Sequence, residues 1–417
     1  MPLARGLLTA VFVFLFAAFN AFASTPDTLD LEDYLEKVEE QLVIYPDDLQ
    51  LIFVRGMLMA EMGRPLKAAD SFRNMLARDP DLLRPRLELG RVLMQAGEYY
   101  GARYNFEQTL KHELPDTVRQ NVMLMLARIR EELPSFSLAT ELIFDSNPKQ
   151  ATSSKEVEID GLIFKLDDDA RADSETGLRL LFDGRIPFGD PKRWFTRAHV
   201  EHQEFSGRDL DFSYFQLAGG RHFPREKHTL TLEGGYHRSY YRHRLLYHGI
   251  IWSVSDFRAL REDMFLNLNL TGMQLDYSDY SYRDSWQHTA SATAIYVASP
   301  VSRWDAGLGY TINRAEESAY SFDQPFVHLR YAREWPGGWI TGANFRASRI
   351  QYEAPDPFFR ETRIESEIRV EADVLNRRIR LWRFSPRLLI GYVDYKSNID
   401  FFSWQRNYVR VGMTAEF

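Results

Sequence analysis

The sequence predicts an α+β chain in two parts: helices first, then a C-terminal transmembrane antiparallel β-barrel of about fourteen strands. Three observations carry this prediction. From about Ser137 to Phe417, short segments of alternating apolar and polar residues are separated by turn residues. Ahead of them, small and aromatic residues recur with a 34-residue period, as from Gly56 to Gly90. The longest apolar stretch, Leu7 to Phe19, is about 13 residues, too short for a helix that crosses a bilayer.

Composition bounds the classes. The 417 residues carry a formal net charge of -8 and no cysteine, which excludes disulfides, thiolate chemistry and cysteine metal sites. Aromatic residues make up 14%, with 21 Tyr and 29 Phe, a surplus that two interfacial girdles would use. The mean hydropathy of -0.37 is compatible with a barrel, which alternates polar and apolar residues and needs no long apolar run.

Residues 1–23 read as a signal peptide: Arg5, the apolar core Leu7–Phe19, then Ala21-Phe22-Ala23, with cleavage after Ala23 and a mature start at Ser24. Residues 24–134 read as a periplasmic helical domain. Gly56, Ala68 and Phe72 recur as Gly90, Ala102 and Phe106, and Met62-Gly63 recurs as the turn Ala96-Gly97. Pro46 and Pro80 share the spacing. A 34-residue period with small residues at helix crossings and a proline between units is the tetratricopeptide pattern. Leu31–Ile44 and Thr117–Leu133 read as flanking helices. These repeat positions are structural. A concave face carrying Arg55, Met59, Arg86, Glu88 and Arg91 is the expected client-contact surface.

Residues 135–417 read as the barrel, with strands near 137–145, 176–187, 193–205, 210–222, 228–241, 245–257, 263–277, 285–298, 302–314, 322–334, 339–352, 362–374, 382–395 and 405–417. Turns such as Gly189-Asp190-Pro191, Ser299-Pro300-Val301 and Pro336-Gly337-Gly338 alternate with longer aromatic connections such as Glu353–Glu361. Short periplasmic turns and long outer loops are the pattern of bacterial barrels. Residues 146–175 are expected to form a hairpin in the first external loop, and Gly272 a bulge where the strand pattern changes phase.

The clearest strand puts Arg363, Glu365, Glu367, Arg369, Glu371 and Asp373 on one face, with Ile364, Ile368, Val370, Ala372 and Val374 on the other. Arg197, His199 and Glu201, with Arg330 and Arg346, extend the charged face to other strands. These are the expected lumen residues; charges of both signs suit an inner plug or the passage of a polypeptide. In the last strand, Gly412, Ala415 and the terminal Phe417 resemble a signal for the outer-membrane barrel assembly machinery.

No nucleophile-elbow, zinc-protease, phosphate-loop or dinucleotide motif is present. Five of the ten histidines lie between His222 and His248, but His237 and His243 are separated by about 20 Å of strand. The expectation is no catalytic residue, no metal, no cofactor and no nucleic acid.

The order of signal peptide, small tetratricopeptide domain and barrel resembles the surface lipoprotein assembly modulator family. Phe144-Asp145-Ser146-Asn147-Pro148, ending the first strand, looks like that family's Asp-x-Asn segment. The resemblance implies a non-enzymatic outer-membrane translocon of a Gram-negative bacterium. Its clients would be surface lipoproteins or secreted haem-binding proteins. Its other partners would be outer-membrane lipid, the barrel assembly machinery during biogenesis and periplasmic chaperones. The helical domain is short, about two full repeats. The alternative is export of an exopolysaccharide through a repeat-linked porin; an enzyme in the barrel ranks last.

Overall fold

The computed structural model describes residues 28–416, apart from 160–161, 168–169, 190–192, 207–209, 226–227, 262 and 300. The expected signal peptide and its cleavage point after Ala23 lie outside the described residues, as do Phe417 and parts of several short turns. Two compact units meet in sequence between Ile129 and Arg130.

Among the described residues six helices come first: α1 (Thr28–Ile44), α2 (Leu49–Glu61), α3 (Pro65–Arg78), α4 (Leu83–Gln95), α5 (Tyr99–Thr109) and α6 (Asp116–Glu132), the last ending just past the boundary. Asp48 caps α2, its carboxylate accepting from the amides of Gln50 (2.8 Å) and Leu51 (3.1 Å). Proline opens α3, where its missing N–H costs nothing. The hairpins α2–α3 and α4–α5 turn at Gly63 and Gly97, with φ of 70° and 78°. They are equivalent at the contact that sets their crossing. A Cβ on Gly56 would lie 2.8 Å from the Phe72 ring, and one on Gly90 2.7 Å from the Phe106 ring. Ala68, Phe72, Ala102 and Phe106 are all fully buried there. Pro80 lies between the hairpins, its carbonyl accepting from Arg86.

The second unit is a closed antiparallel barrel. Its wall strands are β1 (Ser135–Asp145), β4 (Glu175–Phe188), β5 (Trp194–Phe205), β6 (Phe212–Pro224), β7 (His228–Tyr241), β8 (Arg244–Ala259) and β9 (Met264–Tyr277). They continue with β10 (Ser285–Ser299), β11 (Ser302–Ala315), β12 (Phe322–Trp335), β13 (Trp339–Pro355), β14 (Thr362–Asn376), β15 (Ser385–Ser397) and β16 (Trp404–Glu416). Each pairs with its sequence neighbour in the wall, and β16 closes on β1, giving the expected fourteen. β2 (Glu156–Ile159) and β3 (Leu162–Lys165) form a separate hairpin within the β1–β4 loop, also as expected.

Three details differ from the sequence reading. Gly272 makes no bulge: β9 keeps one register against both β8 and β10 through it. The phase change reflects Met273 and Leu275 continuing the inner face above Asn269 and Thr271, while the Trp252 indole covers Gly272 outside. β15 starts at Ser385, not 382, because Trp382 adopts φ of 59° in a tight turn. Among the longer outer connections, β7–β8 is a two-residue turn, Arg242-His243, with φ of 51° and 60°, the primed hairpin geometry.

Cross-strand partners project to the same side, so one polar face can be followed around the whole wall. The opposite face is apolar, with Leu142, Leu180, Leu217, Ile250, Leu308 and Ile390 all exposed on it. Aromatics bound this band. Phe188, Trp194, Trp304, Trp335 and Trp339 mark the end nearest the β1 start, and Phe144, Tyr236, Trp286, Tyr310 and Tyr392 mark the other.

Candidate functional site

The interior face carries a network of buried charge where β1 meets β16. Nine residue pairs join the strands, from Ser137↔Glu416 to Asp145↔Tyr408. Glu141 projects inward from β1 and is 3% exposed. It accepts from Arg179 on β4 at 2.9 Å and reaches Arg387 on β15 at 3.8 Å. To reach β15 it must cross β16, and it does so at Gly412. A Cβ there would lie 2.0 Å from the Thr140 carbonyl and 2.9 Å from Glu141 Cγ. Tyr408 makes a parallel crossing, passing over Gly391 on β15 to donate its hydroxyl to Glu371 on β14.

At the far end of the seam, Asp145 forms a bidentate pair with Arg406 on β16, Nε lying 2.8 Å from Oδ2. Asp145 also accepts from the Asn147 amide at 2.9 Å. Asn147 in turn donates to the Gln405 carbonyl across the seam (3.1 Å) and to Ala151 (2.8 Å). Ser146 and Asn407 exchange two further bonds. The Asp145-Ser146-Asn147 segment therefore pins the first strand to the last. Breaking one member of such a buried, paired set leaves its partner charged and unsatisfied, a cost of about 3–5 kcal/mol.

The other inward residues divide by whether they are paired. Glu201 shares Arg179 with Glu141 (2.9 Å), Arg197 meets Glu233 (3.3 Å), and His199 meets Asp183 (3.3 Å). Glu367 meets Arg369 (3.1 Å). Arg363 is buried between the rings of Tyr352 (3.8 Å) and Phe402 (4.3 Å), beside Asp356 and Glu365. Glu365 accepts from the Tyr395 hydroxyl. A few strands along the wall, from β10 to β14, lies a lumen recess of about 410 Å³, lined by Arg330, Arg346, Arg369, Glu371, His328 and Asp305. Arg346 stacks on Phe326 at 3.9 Å, and Arg330 is exposed.

The helical candidates are more occupied than their sequence positions suggest. Met59 is 9% exposed and belongs to the core, because it shares the apolar stripe of α2 with Ile52. Arg55 donates to Ser71 Oγ at 3.1 Å, binding α2 to α3, and Arg91 pairs with Glu88 at 2.7 Å. Arg86 is held by the Pro80 carbonyl. Of the expected assembly signal, Gly412 serves the Glu141 crossing, and Ala415 is buried on the outer face opposite Leu138.

His237 is buried against the Gln274 carbonyl at 2.8 Å, and His222 lies 2.8 Å from Thr231 Oγ1. Among the described residues, no group of three or more His, Asp and Glu is placed to hold a metal. Sequence reading missed Glu141, Arg179, Arg387, Arg406 and Tyr408. The polar parity of β1, β4 and β16 marks them as inward, but their convergence depends on the closing register.

A closed fourteen-strand barrel with a charged interior and an apolar, aromatic-edged exterior defines an outer-membrane barrel protein. Residues 136–417 match the profile of the family described as Surface lipoprotein assembly modifier, and the chain belongs to that family. The Surface lipoprotein assembly modifier of Pasteurella multocida is 21% identical, over 91% of this chain and 80% of its own. Surface lipoprotein assembly modifier 1 of Neisseria meningitidis serogroup B is 20% identical, over 92% and 78%. The Moraxella catarrhalis protein of the same description is 21% identical, over 93% and 77%.

Proposed function

We propose that this chain is a non-enzymatic translocon that delivers client proteins across the outer membrane, placing lipoproteins on the cell surface or releasing secreted haem-binding proteins. The helical unit is a periplasmic tetratricopeptide-like receiver, acting with periplasmic chaperones, and the barrel assembly machinery inserts the barrel. The observation that carries the reading is the interior face. Side chains of both charge signs line it on β1, β4, β5 and β11 to β16, and exposed Arg330 in the lumen recess is open to engage a polypeptide. Family membership supports a lipoprotein client. The free energy for transit comes from client folding outside, because the periplasm supplies no nucleotide.

The test is co-expression with each lipoprotein or secreted protein encoded beside this gene, scoring protease-accessible display with and without the chain. Display that depends on the chain supports the proposal and names the client. Loss of extracellular polysaccharide, with no effect on any protein, would replace it with sugar export.

A further inference from the structure

The outer face of the wall is not uniformly convex. A concavity of about 890 Å³ opens on it across β8 to β13, with Val254 and the Arg258-paired Asp256 at its β8 end. Two rows of outward residues form its sides. One is Leu268, Ala292, Leu308, Val327 and Ala347, each paired with the next across adjacent strands. The other runs from Leu270 through Ala290 and Tyr310 to Pro325. The alanines make the depth: on β10 and β13 they leave the floor close to backbone while leucine, valine and tyrosine rise beside them. Four strand spacings give a length on the order of 20 Å. Because the rows run perpendicular to tilted strands, the groove climbs obliquely through the apolar band.

Its upper end holds Arg349, exposed on the lipid-facing side of β13 next to Pro325 and paired in register with Ser366. Other outward arginines are matched. Arg314 meets Asp323 (3.0 Å) and Glu353 (3.1 Å), and Arg258 meets Asp256. Arg221 and Arg333 lie over the rings of Trp194 (4.9 Å) and Trp335 (4.1 Å). Arg349 forms no hydrogen bond, ion pair or ring contact among the described residues. An unmatched cation on a lipid-facing strand is costly away from the interface unless an anion meets it.

We propose that this groove binds a phosphate-bearing membrane lipid, one acyl chain lying along the alanine floor and the phosphate on the Arg349 guanidinium. Apolar length and a single cation at one end fit an anionic amphiphile and no soluble anion. A neutral lipid, or the uncharged acyl anchor of a lipoprotein, would fill the groove and leave Arg349 unmet.

The experiment uses the full chain purified in neutral detergent, loaded with phosphatidylglycerol or phosphatidylcholine, with bound lipid counted by native mass spectrometry. The wild-type barrel is expected to retain phosphatidylglycerol about tenfold better, the size of one charge-assisted hydrogen bond. Arg349→Ala should abolish that preference and Arg349→Lys keep most of it. Ala292→Trp, which fills the floor, should lower retention of both lipids. A heat-dependent gel shift establishes that each variant is folded. Equal retention of the two lipids by wild type would overturn the proposal, and so would a preference that survives Arg349→Ala. A neutral diacylated lipopeptide that displaces phosphatidylglycerol equally from wild type and Arg349→Ala would assign the groove to the client's anchor instead.

Discussion

The two sides of the barrel interior use charge differently. On the β1–β16 side, Glu141 and Asp145 are 3% exposed; Glu141 meets Arg179 and Arg387 from two other strands, and Asp145 meets Arg406 of β16 and the Asn147 amide. On β12 and β13, Arg330 is exposed to the lumen and makes no ion pair among the described residues, while half-buried Arg346 rests on the Phe326 ring. Buried paired charges hold a wall in one register, because a slip would strand them. An exposed cation such as Arg330 adds little to stability and stays open to solvent. The difference therefore separates the part of the lumen that keeps the barrel closed from the part that the proposed translocation would use.

The comparison breaks most completely at Gly412. Gly412→Val would put side-chain carbon into the Thr140 carbonyl and the path of Glu141, where backbone cannot yield. No heat-modifiable barrel should accumulate in the outer membrane, and a wild-type gel shift would show that the crossing is dispensable. Glu141→Ala is next. It takes one carboxylate from Arg179, which keeps Glu201 (2.9 Å), and one from Arg387, which keeps Asp373 (3.8 Å), so urea unfolding should show a loss of about 1–3 kcal/mol. A double-mutant cycle with Arg179→Ala reads the coupling of that one pair directly.

Further round the lumen, Arg330→Ala alone should leave stability within about 0.5 kcal/mol, as exposed substitutions do, and adding Arg346→Ala should cost about 0.5–1 kcal/mol more through its lost stacking on Phe326. Client display should still fall several-fold. Equal display by the double variant would remove the recess from the transport path.

How much of this was visible in the sequence follows from the range of the interactions. Strands and turns are local, so period-two alternation and turn residues located all fourteen wall strands and the loop hairpin. The helical hairpins were equally local, their Gly–Phe contacts lying within one 34-residue unit. Gly272 misled because the inner face was assumed polar, whereas Met273 and Leu275 are apolar inner residues. The seam was illegible for a different reason. Asp145 and Arg406 are 261 residues apart, and nothing local says which strand closes on β1. Once closure is given, the Asp145-Ser146-Asn147 segment acquires its purpose. Met59 shows the same limit in the helices: an amphipathic position near a face boundary is assigned by packing, which sequence spacing alone leaves open.

The smallest expected effect sharpens the comparison furthest. If the seam serves to keep the barrel closed, clients pass through the lumen and the β1–β16 pairing never opens in the transport cycle. Leu142 and Val411 are direct partners on the outer face of that seam, and the chain contains no other cysteine to complicate oxidation. Opposed residues in an antiparallel pair stand about 5 Å apart at Cβ, within reach of a disulfide or a short bis-thiol bridge. The Leu142→Cys, Val411→Cys chain should display its client equally well bridged and reduced, to within about the twofold scatter expected when a substitution avoids both wall packing and lumen. Display that stops on bridging and returns on reduction would mean that β1 parts from β16 during transit. The buried pairs at Glu141 and Asp145 would then be the latch of a lateral gate, and the recess at Arg330 and Arg346 would lie off the client's route.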